Sequence, residues 1–521
     1  MFFKFVNAVL VCFCLFEQVS GQNLVKGVVY HDLNKNGKRE ISEPGLPNVA
    51  VSNGVEVVLT NHEGFYELPV QEGMVIFVIK PSGYALPLDE RAISQHFYLH
   101  FPQGSPETDV PGIAPTGELP ASLDFGVWAQ LEEDVFEVLL FGDPQARGLK
   151  EVNYISHDVV EECMGTSAEF GIVLGDIVAD DPALFEEVSE SLAQIGIPWY
   201  YTFGNHDHNR DVSSDKDRDG TFKRFFGPSS YALEYGEASF IVMRDVHFDE
   251  NGKYRSEYNS NQLTFLEEYL RYVPQDKLVV LVQHIPLPRT SGKERLFELL
   301  GSRPNTLSIS GHTHTMQHLF LGEEYGWHGL TPHHHFINST VSGSWWCGLK
   351  DETGIPHATM NDGAPNGYSI LKVNGSSYEI EFKAARRPES YQMNIFLPED
   401  ISAKVLPETE VLVNVFSGSE KSIVEMKVDD SGEWISLKLD PQPDPFNQWM
   451  HGLGDFLELE LEDGRRADQA LGWKMDDPRP SSHIWAGYLP QNLSKGTHQL
   501  TVRTKDMFGK EYTSYRIFRV R

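Results

Sequence analysis

Five short polar motifs follow apolar runs along the chain, and their residue types suit metal-dependent chemistry. They supply aspartate, glutamine, asparagine and histidine side chains in numbers that could bind two metal ions. Such a mixed set of oxygen and nitrogen donors suits Mn, Fe, Zn, Ni or Co, whereas a structural zinc prefers thiolates. Two metals held close together are a common device for hydrolysing phosphate esters. The motifs are Asp143-Pro-Gln145, Gly175-Asp176, Gly204-Asn-His-Asp207, His284 and Gly311-His-Thr-His314.

Each motif lies where a compact apolar run ends, which indicates how the fold could bring the motifs together. Runs of this kind are typical of strands buried on both faces, and helical patterns lie between several of them. The alternation predicts a central sheet covered by helices. In open α/β sheets, ligands bind beyond the carboxyl ends of the strands, so we expect the motifs to meet at one edge. The runs are 135–141, 171–174, 199–203, 278–282 and 307–310.

The regions on either side of this central part have short β-rich runs separated by Gly, Pro and Asn. This pattern predicts all-β, sandwich-like modules. At 521 residues the chain is also too long for one ordinary domain. The predicted fold is therefore an α/β catalytic domain, with central β-sheets flanked by helices, between two all-β modules. The expected boundaries are 22–128 for the N-terminal β-sandwich module, 129–380 for the catalytic domain and 381–521 for the C-terminal β module.

Residues 1–21 have the features of a secretory signal peptide. Lys4 precedes an apolar stretch over 5–16, and small residues at 19–21 suggest cleavage before Gln22. The stretch is short for a transmembrane helix, although a retained N-terminal anchor is the alternative. After removal of the signal, no segment could span a bilayer. We therefore predict a secreted or periplasmic protein.

Charge and cysteine content exclude some classes of function. The formal net charge of -32 argues against nucleic acid as a partner, because so acidic a surface repels phosphate backbones. Two cysteines, Cys163 and Cys347, follow the signal, and the sequence leaves open whether they pair. The chain has no C-x-x-C pair, which argues against thiolate metal sites and redox chemistry.

The ordered motifs resemble those of the calcineurin-like metallophosphoesterase superfamily over residues 135–370. The usual pattern is D-x-H, G-D, G-N-H-D/E, a lone H and G-H-x-H, and this chain has Gln145 in place of the first histidine. The flanking β modules resemble those of secreted multidomain members of the superfamily. The resemblance implies the metallophosphoesterase fold and a metal-dependent hydrolase that acts on phosphate ester bonds.

The same resemblance implies a role for each motif residue. His206 would face the phosphoryl group and protonate the leaving group, Asp207 would orient His206, and a metal-bound hydroxide would attack phosphorus. Asp176 would bridge the two metals, since a carboxylate has two oxygens to share. The implied ligands are Asp143, Gln145, Asp176 and His314 at the metal-one position, and Asp176, Asn205, His284 and His312 at the metal-two position.

Residues after the last motif are candidate substrate contacts. His318 follows His314 by one helical turn and could face substrate or simply lie at the surface. The run 331–336 could form a cleft wall or a solvated loop. Aromatic residues in the Gly-rich and Pro-rich segments 343–348 and 362–368 could stack a sugar or base, or pack beneath the loops. The candidates are His318, Trp345, Trp346, Asn366 and Tyr368.

A second cation site is suggested near the N-terminus by a twelve-residue calcium-loop pattern. It has oxygen-bearing residues at the ligand positions, Gly37 at position six and a glutamate at position twelve. No helix pair flanks it, so it resembles the calcium loops of β-sandwich modules rather than an EF-hand. The alternative is a turn without metal. The candidate ligands are Asp32, Asn34, Asn36, Lys38 and Glu43.

The sequence therefore favours an exported dinuclear-metal phosphoesterase that hydrolyses a phosphomonoester or phosphodiester. The substrate would be a phosphorylated small molecule, nucleotide, lipid or glycan. A nucleotide or nucleotide-sugar pyrophosphatase is an alternative that exposed Trp345 and Trp346 would support. An inactive surface binding module is the non-enzymatic alternative.

Overall fold

The computed structural model describes residues 23–430, 433–457 and 472–521. The predicted signal peptide, residues 1–21, lies outside the described residues. Within the described residues, no helix is both long enough and apolar enough to cross a membrane. Cys163 and Cys347 are both buried and do not form a disulfide.

The N-terminal part is a β-sandwich, as predicted. Two four-stranded sheets, with strand orders β4-β1-β8-β6 and β3-β2-β5-β7, enclose a small apolar core that includes Val29, Val51 and Leu68. The strands are β1 (Leu24–His31), β2 (Ala50–Ser52), β3 (Val57–Leu59), β4 (Phe65–Pro69), β5 (Val75–Val78), β6 (Tyr84–Ala85), β7 (Phe97–Leu99) and β8 (Phe125–Ala129).

The central part contains two mixed sheets, ordered β11-β10-β9-β20-β21 and β12-β13-β16-β17-β19-β18. Its strands are β9 (Val135–Phe141), β10 (Phe170–Val173), β11 (Trp199–Tyr201), β12 (Tyr231–Tyr235), β13 (Ala238–Val242), β14 (Val246–Phe248), β15 (Tyr254–Ser256), β16 (Leu278–Val282), β17 (Thr306–Ser310), β18 (Gln317–Leu321), β19 (His333–Ile337), β20 (Gly367–Asn374) and β21 (Ser377–Ala384). Its helices are α1 (Leu149–Ile155), α2 (Glu161–Cys163), α3 (Phe185–Ala193), α4 (Gly220–Phe226), α5 (Ser260–Leu270) and α6 (Lys293–Leu300).

Alternating apolar side chains explain how these two sheets are buried on both faces. From β9, Val138 and Leu140 join a core shared with Val280 of the second sheet, while Leu139 and Phe141 face the helices on the other side. Strands β9, β10 and β11 run parallel to one another, and so do β13, β16, β17 and β19. Their carboxyl ends therefore lie at a common edge in each sheet, and the predicted helix-covered α/β architecture is confirmed.

The C-terminal part is again mostly β-structure, as predicted. Two sheets, ordered β22-β24-β30-β27 and β23-β32-β31-β25-β26, enclose residues such as Val413, Met426 and Leu500, and β28 pairs with β29. The strands are β22 (Met393–Phe396), β23 (Asp400–Ile401), β24 (Glu410–Val415), β25 (Ile423–Val428), β26 (Ile435–Ser436), β27 (Lys438–Leu439), β28 (Gln442–Pro443), β29 (Pro480–Ser481), β30 (Ile484–Tyr488), β31 (Gly496–Lys505) and β32 (Glu511–Val520), with helices α7 (Pro445–Gly452) and α8 (Gly454–Leu457).

Candidate metal centre

The five motifs meet where strands of the two central sheets end. Asp143, Asp176 and Asn205 follow β9, β10 and β11 of the first sheet, while His284 and His312 follow β16 and β17 of the second. The main-chain N–H of His312 donates to both carboxylate oxygens of Asp143, at 3.0 Å each, which joins the two sheets at the site. The sequence prediction that parallel strand ends would gather these residues thus describes the observed arrangement.

The backbone at the site is held in an uncommon conformation. Asp143, Gln145, Asp176, His312 and His314 all have positive φ, between 42° and 74°. Such a conformation costs free energy for a residue with a side chain, so the surrounding structure must enforce it. Strain of this kind is concentrated at functional sites, where it directs side chains toward a shared point.

Glycines allow the strand-end loops to approach one another closely. A Cβ atom at Gly204 would lie only 2.1 Å from the main-chain nitrogen of Asp176. A Cβ at Gly311 would lie 2.3 Å from Oδ2 of Asp143. Any larger residue at either position would displace a candidate ligand, so these glycines are part of the site.

The donors assigned to the metal-two position converge closely. His284 Nε2 lies 3.1 Å from Asp176 Oδ2, 3.1 Å from Asn205 Oδ1 and 3.2 Å from His312 Nδ1. One ligand atom from each of Asp176, His284 and His312 lies within 4.8 Å of the others. His284 Nδ1 is hydrogen-bonded to the Leu174 carbonyl at 2.8 Å, which fixes the ring with Nε2 facing the cluster.

The donors assigned to the metal-one position form a looser group around Asp143. His314 Nε2 lies 3.8 Å from Asp143 Oδ1, while its Nδ1 is held by the Gly343 carbonyl at 2.6 Å. Gln145 donates from Nε2 to Asp176 Oδ2 at 3.1 Å. Its Oε1 is buried and has no hydrogen-bond partner, although buried acceptors are normally satisfied. A metal ion at this position would satisfy that oxygen, so the residues fit the metal that the motifs imply.

The electrostatics of the site also fit bound cations. Asp143 and Asp176 are fully buried next to each other, and burial raises the pKa of Asp143 to about 7. Burial alone would lower the pKa of His284, but the negative charges of Asp176, Asp143 and Asp245 raise it to about 10. Burial instead lowers the pKa of His312 to about 3 and that of His314 to about 4. His312 and His314 therefore stay neutral beside the two buried acids, and a cation bound there would take the place of the proton on His284.

His206 stands beside the metal ligands, but its partner differs from the one predicted. Its Nδ1 contacts Asp180 Oδ1 at 2.8 Å, and its main-chain N–H donates to Asp176 Oδ1 at 2.9 Å. The predicted orienting role of Asp207 is wrong, because that carboxylate accepts the main-chain N–H groups of Gly204 and Val178. Asp207 therefore fixes the loop, while Asp180 fixes the imidazole.

The two neighbouring tryptophans differ, and only one faces the candidate site. The Trp345 ring stacks on His314 at 5.5 Å and meets His206 edge-on at 4.9 Å, and it is partly exposed. The prediction that Trp346 contacts substrate is wrong. It is fully buried, its Nε1 donates to the Pro144 carbonyl at 3.0 Å, and its ring packs against Tyr154. It supports the loop that carries Asp143 and Gln145.

The predictions that three further residues contact substrate are also wrong. Asn366 is buried and donates to Asp158 and to the Val341 carbonyl. Tyr368 is buried against Phe141. His318 lies on strand β18 rather than on a helix, and it is buried between His334 and Ser417.

The run 331–336 is neither a cleft wall nor a solvated loop, because His333, His334 and His335 are buried within strand β19. The i,i+4 interpretation of His314 and His318 failed because β18 pairs with β19, a tertiary contact that local spacing does not reveal.

The candidate calcium residues form a closed loop in the N-terminal module. Asp32 and Glu43 are buried, and Asp32 Oδ2 accepts the Gly37 N–H at 2.8 Å. Glu43 Oε1 accepts the Leu33 N–H at 3.0 Å. Asn34 and Asn36 accept main-chain N–H groups of Asn36 and Lys38 respectively. Calcium binding by Asp32, Asn34, Asn36, Lys38 and Glu43 stays a prediction.

Sequence reasoning missed three acids that position the site. Asp180 holds His206, and Asp245 accepts the main-chain N–H groups of His284 and Ile285. Asp362 accepts the Met316 N–H and contacts His483 Nε2 of the C-terminal part at 3.0 Å. Asp180 lies four residues after Asp176, and Asp362 opens the Gly-rich and Pro-rich segment 362–368, while Asp245 has no such signal.

Comparison with known families agrees with this geometry. The family model "Calcineurin-like phosphoesterase" matches residues 136–316, "N terminal of Calcineurin-like phosphoesterase" matches 33–110, and "C terminal of Calcineurin-like phosphoesterase" matches 335–512. Together they extend over most of the chain. The chain belongs to the calcineurin-like phosphoesterases, a family of metal-dependent hydrolases of phosphate esters.

Two other comparisons add little. No curated protein matches the sequence. Among solved structures, the purple acid phosphatase PPD1 from yellow lupin (Lupinus luteus) seeds is 11% identical with a TM-score of 0.36, over 69% of this chain and 66% of that one. This chain thus spans just under two thirds of the lupin protein, and a likeness at this level carries no argument about function.

Proposed function

We propose that the protein is an exported phosphoesterase that uses two metal ions to hydrolyse a phosphomonoester or phosphodiester. The observation that carries this proposal is the convergence of seven donor side chains from five strand ends, next to His206. Asp143, Gln145, His284 and His314 are at most 5% exposed. Buried polar groups at this density are costly unless they bind something, and a metal pair accounts for them.

Bound metals would polarise the phosphoryl oxygens and lower the pKa of a water nucleophile. Asp143, Gln145 and His314 would hold one, while Asn205, His284 and His312 would hold the other, with Asp176 between them. The metals fit Mn, Fe, Zn, Ni or Co by the donor types present. The protein's own part is to fix these donors and to keep the site dry.

His206 is suited to donate a proton to the leaving-group oxygen. Although burial opposes it, the charges of Asp176 and Asp180 raise the pKa of His206 above its ordinary value. The imidazole therefore keeps its proton to a higher pH than an ordinary histidine would. Asp180 also fixes Nδ1, which directs Nε2 away from that carboxylate. A proton donor with a pKa near the working pH is effective in general acid catalysis.

Trp345 favours a leaving group with a flat face. Its partly exposed ring lies against both His206 and His314, at the rim of the candidate metal centre. A base or sugar could stack on it while the phosphoryl group occupies the centre. This supports a nucleotide or nucleotide-sugar pyrophosphatase as a second candidate activity. A phosphorylated lipid or glycan is the alternative substrate class.

Export and calcium binding complete the proposal. Export is supported by the signal-like residues 1–21, and mass spectrometry of the processed chain should find Gln22 at its N-terminus. Retention of an unprocessed chain in the cytoplasm would contradict it. Calcium binding is supported by the buried carboxylates of Asp32 and Glu43. Calcium should raise the melting temperature of the wild-type protein but not that of the Asp32→Ala variant, whereas equal shifts would contradict a site in this loop.

The activity is tested with a chromogenic phosphomonoester and the matching diester. Chelator-stripped protein should be inactive, and turnover should return when Mn, Zn, Fe, Ni or Co is added. The His312→Ala variant should stay inactive under every metal. Absence of turnover with every metal, in protein that remains folded, would count against the proposed function. The ratio of monoester to diester turnover then identifies the substrate class.

A further inference from the structure

The two metal positions have unequal sets of donors, and this difference rests on the two-metal function proposed above. The metal-two position offers two imidazoles, from His284 and His312, with the oxygens of Asn205 and Asp176. The metal-one position offers one imidazole, from His314, and oxygens from three residues: Asp143, Gln145 and the shared Asp176. Imidazole suits Zn, Ni and Fe, whereas carboxylate and carbonyl oxygens suit Mn and Mg.

The metal-two donors are also the better assembled. Three donor atoms, of Asp176, His284 and His312, lie within 4.8 Å of one another. His284 and His314 are each fixed by a main-chain carbonyl, so the positions differ in donor spacing: His284 Nε2 lies 3.1 Å from Asp176 Oδ2, whereas His314 Nε2 lies 3.8 Å from Asp143 Oδ1. Preorganised ligands bind a metal more tightly than ligands that must move.

Gln145 is the residue that sets the metal-one position apart. Its Nε2 donates to Asp176 Oδ2, which leaves Oε1 as the end of the amide without a hydrogen bond. The positive φ of Gln145, 44°, and the hydrogen bond from its main-chain N–H to the Asp176 carbonyl hold the residue in place. Its amide oxygen is a neutral, hard donor. Asp143, the neighbouring donor, already accepts the His312 N–H with both oxygens.

We propose that the two positions fill in order and select different metals. The metal-two position fills first and prefers a borderline ion such as Zn²⁺. The metal-one position binds more weakly and prefers a harder ion such as Mn²⁺, because Gln145 supplies an amide oxygen. Occupancy of the metal-one position therefore follows the supply of hard divalent ions, while the metal-two position remains occupied.

The test is calorimetric titration of chelator-stripped full-length protein with Zn²⁺ and with Mn²⁺. Wild-type protein should bind Zn²⁺ in two steps, with the second at least about tenfold weaker, the size of effect that partners of metal ligands commonly produce. After dialysis against both ions, metal analysis should find one zinc and one manganese per chain. Gln145→His should strengthen the second Zn²⁺ step by about tenfold or more and abolish the preference for manganese.

Two further variants distinguish a change in metal binding from misfolding. Gln145→Ala should weaken the second step and leave the first unchanged, and circular dichroism should show the native fold. Gln194→His, at an exposed position beyond helix α3, should change neither step. Two steps of equal affinity in the wild type, or an unchanged second step in folded Gln145→His, would overturn this inference alone. A chain that binds no metal would overturn both this inference and the proposed function.

Discussion

The histidines of the metal centre and those of strand β19 are similarly buried, yet their surroundings differ. At the centre, His284 and His314 each tie one ring nitrogen to a backbone carbonyl and turn the other toward carboxylates. On β19, His333 and His335 use both ring nitrogens to contact Ser and Thr hydroxyls. The β19 group is satisfied by hydroxyls of the protein, whereas the first group faces carboxylates and would hold a cation under the function proposed above.

This difference shows that backbone position, more than residue type, determines what a buried histidine does. His312 and His314 lie just beyond a strand end with positive φ, where side chains can converge on a point. His333 and His335 lie within a strand, where their side chains pack along the sheet beside Ser308. The β19 histidines thus stabilise the sheet. Substitutions in the two groups should therefore differ in their effect on turnover.

The largest effect is expected from Asp176→Asn. The shared carboxylate would be lost from both metal positions, so kcat/KM for a chromogenic phosphomonoester should fall by about 10³-fold or more, since metals supply several kcal/mol of stabilisation. Ser308→Ala, next to the β19 histidines, should change kcat/KM by less than about threefold, since a neutral hydrogen bond is worth about 1 kcal/mol and lies away from substrate. Similar losses in the two variants would contradict the division.

A smaller loss is expected from His206→Gln. Turnover of an ester with a poor leaving group should fall by about 10²-fold, in the range of general acid catalysis. An ester of 4-nitrophenol, which leaves without help, should be affected much less, and metal content should not change. Asp180→Asn should show the same dependence on the leaving group with a smaller loss. Equal losses for both esters would contradict the proton-donor role.

The β19 histidines should make the protein sensitive to acid. Burial lowers the pKa of His333 to about 3, and those of His334 and His335 also fall well below the ordinary value. The unfolded chain protonates these residues near pH 6.5, so it binds more protons than the folded chain below that pH. Stability is full above pH 6.5 and falls as pH drops toward 3, by up to about 1.4 kcal/mol per pH unit for each histidine.

Urea unfolding of metal-stripped protein at pH 7.5, 6 and 5 measures this loss. The midpoint should fall steadily with pH, and His333→Phe should reduce the slope if the ring is accommodated. A midpoint that does not change between pH 7.5 and 5 would contradict the pKa assignment.

The smallest effect concerns the C-terminal part. His483→Ala removes a contact with Asp362, whose carboxylate holds the Met316 N–H just after the last motif. Loss of this buried bond should cost about 1–3 kcal/mol of stability and lower turnover several-fold. His498→Ala removes a His–Asp contact to the more exposed Asp429 within the C-terminal part, so it should leave turnover unchanged. Equal turnover in the two variants would mean that the C-terminal part does not position the site.

Much of the fold and of the metal centre follows from sequence pattern. The predicted runs 135–141 and 278–282 are strands β9 and β16. The strand predictions are correct because apolar periodicity is a local property of the sequence. The gathering of the motifs could be predicted because the ends of parallel strands lie at one edge of a sheet.

The parts that could not be predicted depend on tertiary contacts. Trp345 and Trp346 are adjacent and chemically identical, yet only one reaches the candidate site, since the direction of each ring is set by loop packing. Asp180, rather than Asp207, holds His206, because both carboxylate oxygens of Asp207 accept main-chain N–H groups instead. His318 is not a helical neighbour of His314, because β18 pairs with β19, a long-range contact that local spacing does not show.

Metal content tests the central claim most directly. Wild-type protein, His312→Ala and His335→Asn should be dialysed against Zn²⁺ and Mn²⁺ and analysed for bound metal and for native circular dichroism. We predict two metals per chain in the wild type and in His335→Asn, and at most one in His312→Ala. Loss of metal from folded His335→Asn, or two metals retained by His312→Ala, would contradict the assignment of the strand-end histidines as ligands.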